Sequence, residues 1–191
     1  FDLYLKNLNS AGKKDPLYSS NIQIDGMSIL KFDSALPLSK STNMSRQTLT
    51  PKISLRINPG NNMDNYSNSS TNITANNVYD INRLGISDVF EAGRSLTFGF
   101  DYKFDPLEND VSENTKDKYF EVKLATVARD EFENDIPISS TINKKNSDIF
   151  GSINNRLFNN LDLTYDFSLD NDLKTINSHS ISTDISINNF V

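Results

Sequence analysis

The sequence predicts an all-β fold, an antiparallel up-and-down meander of about eight long strands. Three observations predict it. Apolar and polar residues alternate over long runs, most cleanly across Leu96–Phe104 and Leu161–Leu169. The links between runs are rich in Asn, Ser, Asp, Gly and Pro, the residues of turns. No helical period separates one run from the next, so consecutive runs pair as neighbours.

The chain has 191 residues, enough for one domain with a sizeable core. Only 36% of them are apolar, so those few must be placed efficiently. Cysteine is absent, which excludes a disulfide framework and a thiolate metal site. A net charge of −6 without a basic stripe argues against a nucleic-acid partner. No apolar run reaches the length of a spanning helix. The chain begins at Phe1, inside an alternating segment and without a signal peptide, and is expected to be a fragment.

Phe1, Leu3 and Leu5 alternate with Asp2, Tyr4 and Lys6 as the end of a first strand, and Gly12, Asp15 and Pro16 mark a turn. Ile22, Ile24, Leu30 and Phe32 share a parity in the second strand, where Gly26 suggests a bulge. Leu36-Pro37-Leu38, within Ser34–Ser45, breaks the pairing. Leu49, Pro51, Ile53, Leu55 and Ile57 oppose Lys52, Ser54 and Arg56, with Pro51 expected near the strand's start, where proline is tolerated. Asn58-Pro59-Gly60 stops this strand, and residues 58–90 form a long polar loop. Its Asn/Ser-rich part, Asn61–Asn77, cannot supply a core of its own.

The strand Leu96–Phe104 carries Leu96, Phe98, Phe100, Tyr102 and Phe104 on one face, and Ser95, Thr97, Gly99, Asp101 and Lys103 on the other. Tyr119–Arg129 follows, with Phe120, Val122 and Leu124 opposite Glu121, Lys123 and Arg129. After the polar loop Asp130–Lys145, Ile149, Gly151 and Ile153 form a weaker strand. Leu161, Leu163, Tyr165, Phe167 and Leu169 alternate with Asp162, Thr164, Asp166, Ser168 and Asp170. A tight turn at Asn171-Asp172 leads to Ile181, Thr183, Ile185 and Ile187.

Such a sheet has two explanations. In a soluble sandwich the apolar face packs on a second sheet; in a membrane barrel it meets lipid and the polar face lines the lumen. Periodicity does not separate them. Length favours the barrel, because a tilted spanning strand needs roughly 9–11 residues and a globular strand about 5–6.

The residues also carry a resemblance. Leu49-Thr50-Pro51-Lys52, the strand to Asn58-Pro59, the region Asn82-Arg83-Leu84-Gly85-Ile86-Ser87-Asp88 and the glycine-containing strand Ala92–Gly99 resemble, in order and spacing, the outer-membrane lipopolysaccharide-assembly family LptD. The resemblance implies a single partial domain over residues 1–191, an internal slice of a transmembrane outer-membrane β-barrel of a Gram-negative bacterium. It further implies a part in inserting lipopolysaccharide into the outer leaflet, with outer-membrane lipids, an LptE-like plug lipoprotein and periplasmic bridge components as partners. Residues 58–90 then become an extracellular loop. The alternatives are a self-contained small barrel and a soluble β-sandwich acting as a surface binding module.

On the barrel reading, Leu96, Phe98, Phe100, Tyr102, Phe104, Leu163, Tyr165 and Phe167 face lipid. Lys52, Arg56, Asp101, Lys103, Glu121, Lys123, Arg129, Asp162, Asp166 and Asp170 line the lumen, either as a path for a phosphorylated head group or as ion pairs that solvate the wall. His179, the only histidine, has Ser178 and Ser180 beside it, but strand neighbours point to opposite faces, so no catalytic dyad forms. It is expected to face outward with Ile181. The acidic groups Asp105, Glu108, Asp110, Glu113 and Asp130, Glu131, Glu133, Asp135 read as solvated loop charge rather than a divalent-cation site. No enzymatic step, cofactor or metal is expected.

Overall fold

In a computed structural model, the structure describes residues 2–10, 23–60, 68–86, 90–107, 118–158 and 160–186, with side chains from Ser28 onward. Among the described residues nine strands occur in order: β1 (Asp2–Ser10), β2 (Gln23–Ala35), β3 (Leu38–Ser41), β4 (Ser45–Asn58), β5 (Gly93–Pro106), β6 (Tyr119–Arg129), β7 (Ile149–Phe158), β8 (Leu161–Leu169) and β9 (Ile176–Ile185). They make one antiparallel sheet in the order β1-β2-β4-β5-β6-β7-β8-β9, with β3 added alongside β4. The sheet is not closed, and β1 and β9 are its edges. One 3-10 turn at Ile138–Ser140 is the only helical element among the described residues. The expected turn at Gly12, Asp15 and Pro16 lies outside the described residues, as do Ile22, Ser87, Asp88, Glu108, Asp110, Glu113 and Ile187.

The strands follow the alternation, and β6 and β8 have the bounds that it predicts. Three local expectations are corrected. The register runs unbroken through Gly26, which pairs with Asn7, so there is no bulge. Pairing resumes after Pro37, because β3 takes up the start of β4 where β2 leaves off. Pro51 consequently sits well inside β4, which starts at Ser45. Its carbonyl accepts from Leu36 N–H at 3.1 Å, so its missing donor points to the same side, at the Leu36-Pro37 gap between β2 and β3. The proline thus leaves out one bond, to the Leu36 carbonyl, at the place where pairing passes from β2 to β3.

Burial along the central strands is the reverse of that in a soluble sheet. Ser54 and Thr97 are each 2% exposed, whereas Leu55 is 41% and Phe98 47% exposed. The apolar face carries no second layer among the described residues, and the polar face is covered. Two links fold back over it. The β4–β5 link supplies Ile73, Ala75, Val78 and Leu84, and the β6–β7 link supplies Ile136 and Ile142. Both sets pack on Ala125, Val127 and Phe150, apolar residues on the otherwise polar parity of β6 and β7. Full burial contributes roughly 1.5–3 kcal/mol for each large aliphatic side chain. The Asn-rich segment thus has no core of its own but completes one with the sheet.

The β4–β5 link, here the strap, is shaped by its polar residues. Thr74 Oγ1 accepts from Asn76 N–H (3.3 Å) and Asn77 N–H (3.4 Å), and Asn77 Nδ2 donates to Asn72 O at 3.1 Å. Thr71 N–H donates to Ser139 Oγ at 3.0 Å, which ties the strap to the β6–β7 link. Gly85 has a φ of +66°, where a side chain would be strained. The abundance of Asn and Thr here is therefore backbone bonding within a folded link.

Gly99 lies close to both the neighbouring strand β6 and the strap. A Cβ there would overlap the Leu124 carbonyl and crowd Tyr79 Oη. Gly151 has the mirror role on the apolar face, where the Phe167 ring lies over its backbone. Gly99→Val is expected to cost about 1–3 kcal/mol through overpacking and to raise hydrogen exchange at residues 74–80. Gly151→Ala should lower thermal stability while leaving strap exchange unchanged.

Candidate functional site

Pairing register puts the predicted polar residues on one face of the sheet. Arg56, Ser95 and Arg129 form one cross-strand row, as do Lys52, Gly99 and Ala125, then Thr50, Asp101, Lys123, Ser152 and Asp166, and then Lys103, Glu121 and Asn154. Asp162 continues the same parity on β8, opposite Asp184. Asp170 does not join this wall: it lies in the β8–β9 turn, where its carboxylate accepts from Asn171 N–H at 2.7 Å. Leu96, Phe98, Phe100, Tyr102, Phe104, Leu163, Tyr165 and Phe167 occupy the opposite face, and the rings of Tyr165 and Phe167 stack at 5.6 Å. His179 shares that face, 6.5 Å from the Tyr165 ring.

The polar wall has two zones. At the end of the short β7–β8 link, charges pair locally. Lys103 bridges to Asp105 at 2.8 Å, Lys123 to Glu121 at 3.2 Å and Arg156 to Asp162 at 2.6 Å. Lys103 and Arg156 also stand over the Tyr119 ring, at 5.1 and 5.2 Å. These partly exposed pairs contribute little stability each. They are a mixed-charge, hydrated surface. Further along, Lys52 pairs with Asp101 and lies 5.5 Å from the Tyr79 ring, and Lys123 donates to Asn76 at 3.0 Å. Burial, then the nearby Asp101 and Asp33 charges, push the Tyr79 hydroxyl pKa up.

The second zone lies beneath the strap and is closed. Glu91, two residues before β5, is 3% exposed. Arg83 Nε donates to its Oε2 at 2.8 Å, and Arg83 Nη2 contacts Oε1. Arg56 Nε and Arg129 Nη1 each lie 3.3 Å from the same Oε1. Arg83 continues to Thr97 Oγ1 (2.9 Å) and Ser95 Oγ (3.0 Å), and Arg56 to the carbonyls of Asp80 (2.7 Å) and Ile81. Asn58 Nδ2 holds the Glu91 carbonyl at 3.0 Å. Burial alone would raise the Glu91 pKa. The guanidiniums of Arg83 and Arg56, the Arg83 hydrogen bonds and Arg129 outweigh it and hold the carboxyl well below the usual range.

Of the predicted residues, the fold joins Arg56 to Arg129 through Glu91, Lys52 to Asp101 and Lys123 to Glu121. The polar residues that the alternation did not mark are Arg83, Glu91, Tyr79, Tyr119, Arg156 and Asp148. Arg83 stands in the Asn82-Arg83-Leu84-Gly85 motif, whose resemblance assigned it no role. The signal for the covered zone was Ala125, Val127 and Phe150, apolar residues on the polar parity. Asp148, fully buried, accepts from Ser168 Oγ at 2.6 Å and Asn177 Nδ2 at 2.7 Å and ties the start of β7 to β8 and β9.

The model of one protein family, described as LptD: LPS transport system D, matches residues 3–191. A comparison with curated proteins finds no match.

Because the folded-state pKa of Glu91 is depressed, its contribution to strap docking is present above the unfolded carboxylate pKa of about 4.3 and is lost as pH falls through the lower folded value. Strap amides at residues 71–86 should therefore keep their hydrogen-exchange protection at pH 5 and lose it only at stronger acidity. Glu91→Gln should remove this acid dependence and cost the strap about 3–5 kcal/mol, the scale for breaking a buried ion pair. Exchange in β8 should not change.

Proposed function

The chain belongs to the LptD family of lipopolysaccharide transport proteins of the Gram-negative outer membrane, and from that premise we propose that its sheet is a section of barrel wall taking part in inserting lipopolysaccharide into the outer leaflet. The reversed burial carries this reading. An apolar face with exposed Phe98, Phe100, Leu55 and Ile53 suits lipid, and a polar face bearing Lys52, Asp101, Lys103, Glu121 and Lys123 suits a hydrated lumen. The 14-residue strands β4 and β5 exceed the roughly 9–11 residues needed to span at a tilt. The polar face of the sheet, rather than a catalytic constellation, is then the functional surface.

In this role the open zone near Tyr119 presents cations and carboxylates in alternation. Cations attract the phosphates of a passing head group, and the interleaved carboxylates keep any one contact weak enough to release it. The strap and the β6–β7 link lie toward the opposite end, together with the β8–β9 turn, and belong on the extracellular side. An LptE-like plug lipoprotein would meet the open zone, and the periplasmic bridge components would deliver substrate to the same barrel.

The chain has no cysteine, so single cysteines report the orientation cleanly. Phe98→Cys should react with a bilayer-soluble maleimide and resist a water-soluble one, and Asp101→Cys should do the reverse. The opposite pattern would rule out the assignment of faces. For the transport role, Lys103→Glu combined with Lys123→Glu should lower surface-exposed lipopolysaccharide several-fold while heat-modifiable mobility shows an intact barrel. Unchanged surface lipopolysaccharide would count against a path along this wall.

A further inference from the structure

We propose that a trough on the apolar face, running across the middle of β4, β5 and β6, is a binding site for one acyl chain of a bilayer lipid. Two cross-strand rows wall it. Ser34, Ile53, Phe98 and Thr126 form one, and Pro51, Phe100 and Leu124 form the other. The backbone of Lys52, Gly99 and Ala125 is the floor, since that parity belongs to the polar face. Leu36 stands at the β2 end of the trough and Ile149 at the β7 end.

The shape and chemistry of the trough select its occupant. It encloses about 580 Å³, within the roughly 300–1,000 Å³ of small-ligand sites. No charged group enters it. Lys52 reaches the opposite face, where it pairs with Asp101, and Thr126 Oγ1 turns to Ser147 Oγ at 3.3 Å. The two walls are two residues apart along each strand, roughly 7 Å, which is too narrow for a helix about 10–12 Å across. Along the floor β5 is paired on both sides, with β4 and with β6. A peptide strand would therefore gain no ladder bond and would carry its own polar groups into hydrocarbon. A hydrocarbon chain brings no polar group and needs no wider space.

Position and access agree with that occupant. Lys52 and Gly99 lie midway along the 14-residue strands β4 and β5, so the trough falls within the hydrocarbon core. Strands of such a wall tilt by roughly 35–45°, so a trough across them is oblique to the bilayer normal. It then receives the distal part of a chain descending from one leaflet. Ile53, Phe98 and Phe100 are exposed, and a chain reaches them without any part of the fold moving. On the other face the strap packs at the same place, with Tyr79 beside Gly99 and Ala125 in the core cluster. A seated chain gives this part of the sheet a layer on each side. The inference rests on the reading of the apolar face as the lipid-facing one.

The chain has no tryptophan, so one placed in it is read by difference against the parent protein. The full-length protein is inserted into phosphatidylcholine vesicles containing a rising fraction of phosphatidylcholine brominated near its chain ends, and fluorescence quenching is measured. Phe100→Trp, in the trough wall, should be quenched in proportion to the brominated fraction, as one site holding one chain requires. Tyr165→Trp, midway along β8 on the same face but outside the trough, should be quenched more steeply at low fractions, because any of several chains reaches it. Ser34→Phe, which fills the β2 end, should give Phe100→Trp the steeper response and leave that of Tyr165→Trp unchanged. If that variant does not insert, Thr126→Phe fills the trough from β6. One phosphatidylcholine per protein should also survive transfer into detergent, read by native mass spectrometry, and its retention should fall at least five-fold in the filled variant. Identical quenching curves for the two tryptophans would overturn the proposal, as would lipid retention that is absent or indifferent to the filling substitution. Quenching of neither tryptophan would instead overturn the assignment of the face, so the two failures are distinguishable.

Discussion

The carboxylate of Glu91 joins four parts of the chain. Arg56 brings β4, Arg129 the end of β6, Arg83 the strap and Glu91 itself the approach to β5. Without it, three guanidiniums would face one another in a space with little water, a repulsion that no backbone carbonyl dipole cancels. With it, the strap is fastened at one end by charge and along its middle by Ile73, Val78 and Leu84. Those two fastenings differ physically. The apolar one is broad and insensitive to pH, and the ionic one is local and depends on the charge of a single carboxylate.

This arrangement explains why the polar face is so unevenly covered. Toward the long links, β5 to β7 present Thr97, Gly99, Ala125, Val127 and Phe150, small or apolar residues on which another layer can pack. Toward the short β7–β8 link, the same parity bears Lys103, Glu121, Asn154 and Arg156, which need water or counter-charges. A single wall is thereby dry at one end and wet at the other. The strap covers the dry end without a separate domain.

Much of the fold was legible before any coordinates. The two-residue period located β6 and β8 to the residue and placed the long strands β4 and β5, because side-chain direction in a strand is a local property of the backbone. Pro51 was misplaced because its tolerance depends on the neighbouring ladder, interrupted at Leu36-Pro37, and not on its own position in β4. Gly26 was misread for a related reason: a glycine permits a bulge but does not require one. Of the site, the wall residues Lys52, Arg56, Asp101 and Arg129 were readable from parity. Their partners were not, since Glu91 meets Arg129 across 38 residues of chain.

The sequence by itself determined the strands, their antiparallel order and which residues share a face. It also held, unread, the apolar trio Ala125, Val127 and Phe150 that marks where a layer would pack. Only the tertiary structure decided what that layer is, that the strap folds over the polar face to provide it, and that Glu91 rather than a wall residue neutralises the arginines. Alternation is set within a few residues by backbone geometry. The burial of a charge is set by whichever distant segment arrives with the opposite one.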